Sequence, residues 1–160
     1  MMRQDYILRM ISELRQFVAG VLGTGDPARA SEALHAILHA QQRLFNEPPA
    51  QFLGLSLDEQ IDRLTRAESP AHAIEKVVTY AATLNEAARV YAATNRDDMV
   101  VSSRLLALGA LLTAAQRWPE QRNQVADEIA RLRATLPDHL LNPPMREMVL
   151  AWDAHTHAAN

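Results

Sequence analysis

The sequence predicts an all-α protein: about seven antiparallel helices stacked in a single domain over residues 1–160. Three observations carry that reading. Asp26-Pro27, Ser69-Pro70 and Asn142-Pro143 each set a capping side chain before a proline at a first helical position, and Trp118-Pro119 repeats the proline. There the missing N–H costs nothing and the fixed φ already suits a helix. Between these marks lie long stretches with apolar residues at helical spacing. No segment shows the strict alternation of a half-buried strand.

The first hairpin occupies residues 4–46. Its first helix runs from Gln4 to Leu22, with Tyr6, Ile7, Met10, Ile11, Leu14, Val18, Val21 and Leu22 forming a buried stripe. Gly23-Thr24-Gly25 ends it, because glycine supplies the left-handed turn a helix C-terminus prefers. The second helix starts at Asp26-Pro27, reaches Asn46 and turns Ala30, Leu34, Ile37, Leu38, Leu44 and Phe45 inward. So short a connection makes the two antiparallel. Residues 47–68 are a linker and a short helix. Glu47-Pro48-Pro49 breaks the pattern, and Phe52-Leu53-Gly54-Leu55 is an apolar loop that either caps the core or stays exposed as a docking point. Ser56-Leu57-Asp58-Glu59 is a capping box opening a helix to Ala67.

Residues 70–136 hold three helices. The fourth helix runs from Pro70 to Thr94, and Asn95, which tolerates positive φ, marks its end. The fifth covers Asp97 to Arg117 and is apolar nearly all round, which predicts the most buried element. Gly109 in its middle is costly for a helix and implies a neighbouring backbone that crosses too closely for a side chain. The sixth runs as one helix from Pro119 to Leu136 on Val125, Ile129, Leu132 and Leu136, with Asp127 and Arg131 paired on its wet side. The C-terminal helix, 143–158, buries Met145, Met148, Val149 and Trp152. Together these segments make about 70–75% helix.

Bulk composition narrows the function. With 48% apolar and 22% charged residues the chain is globular, not disordered. A net charge of −3 argues against a nucleic-acid partner, which needs a basic stripe. Only Lys76 among the sixteen basic residues is lysine, and the arginines are spread along the whole chain. No cysteine means no disulfide, no thiolate nucleophile and no thiolate-held zinc. The longest uncharged runs, Gln16–Gly25 and Leu105–Gln116, fall short of the ~20 residues of a membrane span, and charges interrupt the N-terminal apolar stretch. The expectation is a cytoplasmic protein without a membrane partner.

Two stretches resemble tetratricopeptide (TPR) helix pairs. Leu84-x-x-Ala87-Ala88-x-x-Tyr91 followed by Asn95 resembles the Trp-x-x-Leu-Gly-x-x-Tyr first helix and turn of a repeat, with Ala88 as the small residue. It departs at Val100, where the second helix carries a small residue, and at Arg104, where it carries an aromatic one. A rival frame is Leu105-x-x-Leu108-Gly109-x-x-Leu112. Gly25-Asp26-x-x-x-Ala30-x-x-Ala33-Leu34 resembles a repeat's turn and second helix. With the Asp5-Tyr6-Ile7-x-Arg9 opening and the short capped helix, the chain is similar to a bacterial family of uncharacterised, degenerate TPR-like proteins. That resemblance implies a helical-hairpin stack and no particular activity.

The residues that could carry chemistry are few. Glu32-x-x-His35 is half of a di-iron bundle motif, with no second copy in the chain. His35 and His39 are spaced to chelate a metal across one turn, but they flank Leu34 and Leu38 and read more simply as histidines at the edge of an apolar stripe. His155-Thr156-His157 lies in the tail. No nucleophile has a base beside it, and Gly23-Thr24-Gly25 lacks the strand and lysine of a phosphate loop. The reading is therefore not an enzyme, and no cofactor is expected. Asn85 and Arg89 are the partner-binding candidates. In the TPR frame they face a groove lined by the first and fourth helices, where an amide and a guanidinium one turn apart can hold a carboxylate. The simpler alternative is a polar face with Glu86 offsetting the charge. The leading function is a protein-interaction module that binds a peptide or helical partner. The alternatives are a small-molecule or metal-binding bundle, or a structural homo-oligomer.

Overall fold

The computed structural model describes residues 2–158, except that the side chains of residues 2–5, Asp5 of the opening motif among them, lie outside the described residues. It is 84% helical, more than the sequence segments sum to, and has no strand among the described residues. The helices are α1 (Met2–Gly23), α2 (Pro27–Phe45), α3 (Pro49–Phe52), α4 (Leu57–Leu64), α5 (Pro70–Ala93), α6 (Asp97–Arg117), α7 (Ala126–Thr135) and α8 (Pro143–Ala158). Two 3-10 segments, Pro119–Gln124 and Asp138–Leu140, precede α7 and α8.

Three of the four prolines open α-helices as expected. Asp26 Oδ1 accepts from Ala28 N–H at 3.0 Å, Ser69 Oγ from His72 N–H at 3.4 Å and Asn142 Oδ1 from Met145 N–H at 2.9 Å. Trp118 has no side-chain acceptor, and Pro119 opens a 3-10 segment instead. Its sequence Glu-Gln-Arg-Asn-Gln offers no apolar stripe to hold an α-helical turn against the core. The single sixth helix of the sequence reading is thus two pieces, broken at Val125, and only the second packs as predicted through Ile129 and Leu132.

The helix ends follow local chemistry. Gly25, Asn46 and Asn95 adopt φ of 67°, 55° and 60°, and Arg96 N–H reaches back to Tyr91 O at 2.9 Å, closing α5 with its last carbonyls satisfied. Ser56 Oγ accepts from Glu59 N–H at 3.3 Å, while its hydroxyl donates to Glu59 Oε1 at 3.0 Å. The expected capping box is therefore tied through the two side chains. The short helix stops at Leu64 instead of Ala67, where alanine takes a φ of 62°.

The antiparallel α5–α6 hairpin is the spine. On the α5 side, α1 and α2 pack against it; on the α6 side lie α4, α7 and α8. α6 carries a stretch long and apolar enough to cross a membrane, and 61% of that stretch is buried inside the fold. It shares the centre with α5, since both bury residues on opposite faces. Gly109 sits in α6 for a different reason from a backbone crossing. An added Cβ there would meet Leu57 Cδ2 at 2.7 Å and Met145 Cε at 3.2 Å, so side-chain tips from α4 and α8 occupy the space.

Of the apolar loop, Phe52 is fully buried in the one-turn α3 while Leu53 stays exposed. The Phe52 ring stacks on Phe45 at 4.2 Å, and Phe45 meets Tyr80 edge-on at 5.2 Å. Such pairs add about 0.5–1.5 kcal/mol beyond area burial. Around them runs a closed polar network. Tyr80 hydroxyl donates to Gln60 Oε1 at 2.9 Å, and Gln60 Nε2 donates to Phe52 O at 2.9 Å. Gln41 Nε2 donates to Thr83 Oγ1 at 3.1 Å, and the Thr83 hydroxyl donates to Tyr80 O at 2.6 Å. Four elements, α2 to α5, are pinned together there. Burial pushes the Tyr80 phenol up to about 12.

Candidate functional site

α1 and α5 run in the same direction. Ile7 shares one recess with Glu75 and Val78, and Val21 and Leu22 share another with Ala93 and Asn95, so the two N-terminal ends lie together and so do the two C-terminal ends. Their common face reaches solvent in part. Glu75, Val78, Ala82 and Asn85 are half-buried and Arg89 is exposed, at successive three- and four-residue steps along α5. A recess of about 120 Å³ opens at one end of this stripe, lined by Ile7, Leu8, Glu75, Val78, Thr79 and Gln124. Leu8 is 57% exposed at its edge. A recess therefore exists between the first and fourth helices of the sequence reading, although Asn85 and Arg89 lie further along α5 and do not line it.

The buried acid beside them is Glu86. Its side chain is 4% exposed and Arg89's is 47%. Arg89 Nη1 donates to both carboxylate oxygens, at 2.8 and 3.0 Å. The simpler sequence reading, Glu86 offsetting the arginine's charge, matches this geometry. Arg89 Nε and Nη2 donate to nothing among the described residues, and the Asn85 amide makes no hydrogen bond among them. An unpaired amide and one edge of a guanidinium thus stand one turn apart on the open face.

The histidines are placed apart from any such arrangement. His35 and His39 are both exposed on α2, and Glu32 is held by Arg29 at 3.5 Å. Among the described residues no group of three His, Cys, Asp or Glu is arranged to hold a metal ion.

A second concavity lies between α6 and α8, beside the 3-10 segment that precedes α7. It measures about 330 Å³ and is walled by Leu112, Ala115, Met148, Ala151 and Trp152, with Gln116, Arg122 and His155 at its rim. The Arg122 guanidinium sits 4.6 Å above the Trp152 ring and Nη2 reaches the Trp152 carbonyl at 3.4 Å. Reading the sequence counted Trp152 as core and passed over Arg122. One signal was available: the positions three and four residues from Arg122 on either side are Trp118, Pro119, Val125 and Ala126, none of them acidic. The chain matches no protein-family model, and no curated protein or solved structure matches it either.

Proposed function

We propose that the chain is a non-catalytic interaction module, a TPR-like stack that holds a peptide along the α1–α5 face. The carrying observation is the parallel α1–α5 pair, with Leu8 of α1 beside a stripe along α5 that is apolar at Val78 and polar at Asn85 and Arg89. In a helical-hairpin stack the parallel first helices line one surface, which suits a chain laid across them. Glu86 binds one nitrogen of Arg89 and so orients the planar guanidinium. Its free edge can then receive a carboxylate through two parallel hydrogen bonds. A peptide ending there, with an apolar side chain in the Leu8–Val78 recess, is the ligand this face fits.

The test is an array of peptides probed with the purified chain, each sequence made with a free and with an amidated C-terminus. Binding that prefers the free carboxylate is expected. Asn85→Ala/Arg89→Lys should erase the preference without lowering the melting temperature, because lysine keeps Glu86 paired but cannot present the planar edge. Leu8→Asp should weaken binding of both forms. An array with no binding, or binding indifferent to amidation and to these variants, refutes the proposal.

A further inference from the structure

We propose that the concavity beside Trp152 is a second binding site, for a small amphipathic carboxylate. Its volume of about 330 Å³ falls within the range of small-molecule sites. At roughly 30 Å³ for each water-sized group it admits on the order of ten heavy atoms. The walls are apolar, built by Leu112 and Ala115 of α6 and by Met148 and Trp152 of α8. An apolar body is therefore required.

The rim supplies charge of one sign. Arg122 makes no ion pair with any carboxylate among the described residues; Glu120, which borders the neighbouring recess, is not bonded to it. Most nearby arginines are neutralised: Arg117 pairs with Asp58 and Asp62, and Arg133 with Asp153. The contact with the Trp152 ring holds the Arg122 guanidinium at the mouth, and only its Nη2 is spent, on a long bond to a carbonyl. A planar donor suits a planar acceptor, which a carboxylate is. Gln116 at the same rim adds an amide. This site shares no lining residue with the α1–α5 recess and stands whether or not that face binds a peptide.

Octanoate, with its ten heavy atoms, is the probe, and octan-1-ol and octylamine are its uncharged and cationic references. Titration of the full chain is followed by calorimetry and by the indole N–H resonances of its two tryptophans. Saturable binding of octanoate is expected, with the Trp152 signal shifting and the Trp118 signal much less. Octan-1-ol should bind about tenfold or more weakly, the scale of one charge-assisted bond, and octylamine more weakly still. Arg122→Gln should reduce octanoate to the level of octan-1-ol. If that variant loses octan-1-ol as well, Ala151→Phe decides: filling the mouth from an exposed helix position must abolish octanoate binding. The proposal is overturned if octanoate and octan-1-ol bind alike to the native chain, or if all core resonances shift together as for a detergent. Octanoate binding that survives Arg122→Gln undiminished, or survives Ala151→Phe, also overturns it.

Discussion

Tyr80→Phe isolates what the buried polar network contributes, and alkaline pH measures it a second way. The hydroxyl is the only hydrogen of this network that Gln60 Oε1 receives, and both residues are buried, Tyr80 to 2% exposure. Removing it leaves a buried acceptor unsatisfied, so the variant should lose about 1–3 kcal/mol at pH 8. The ring itself remains, and so does its edge contact with Phe45, which keeps the loss below that of a cavity-forming truncation. The phenol is pushed from 10.0 up to about 12 in the fold by loss of hydration. Because the folded state prefers the neutral form, its contribution is complete below pH 10 and drains away as pH rises towards 12. At pH 11 the native chain should have lost about 1.4 kcal/mol through this group, from about 1.4 kcal/mol per pH unit between the two values. Tyr80→Phe cannot lose it. Urea unfolding followed by circular dichroism at pH 8 and pH 11 therefore has one expected pattern: the variant is less stable at pH 8, and the gap closes by about 1.4 kcal/mol at pH 11. An equal gap at both values would refute the buried phenol as an energetic element.

Gly109→Ala should stay within about 1 kcal/mol of the native chain, since the helix-propensity gain offsets moving the Leu57 tip, whereas Gly109→Leu should cost about 1–3 kcal/mol by overpacking against Leu57 and Met145. Thermal melts of the two variants check this, and a severe loss for alanine would mean the side-chain tips cannot give way. Ala67→Gly should raise stability by about 0.5–1 kcal/mol, because relief of the left-handed alanine at φ 62° outweighs the freer unfolded chain; a lower melting temperature would contradict that. Arg89→Ala should cost about 1–3 kcal/mol by stranding Glu86, and Glu86→Gln in the same chain should recover part of the loss, as a double-mutant cycle would read. Asn85→Ala alone should stay within about 0.5 kcal/mol.

Features that depend on neighbours along the chain were legible before any fold was known. Caps at Asp26, Ser69 and Asn142 are contests between a backbone group and a side chain a few residues away, and the left-handed ends at Gly25 and Asn95 rest on those residues' own conformational freedom. Such contests are legible without a fold. The stripes of α1 and α2 were legible too, because burial of one face is written at fixed spacing, although Tyr6 at the head of the first stripe stays exposed. Features that depend on residues far apart in sequence were set only by packing. The break at Val125 arises because Ile129 and Leu132 pack into the core while the polar run before them carries no apolar side chain to bury there. Gly109 is explained by Leu57 and Met145, fifty-two residues before it and thirty-six after, whose tips no periodicity could have brought together. The α1–α5 alignment likewise comes from packing across three intervening helices. Arg122 and Trp152 meet thirty residues apart, where 3-10 segment and C-terminal helix converge on the end of α6. The amphipathic stripe tells a helix which face to bury; only the assembled core, through shape and unsatisfied charge, tells it which residues that face will touch.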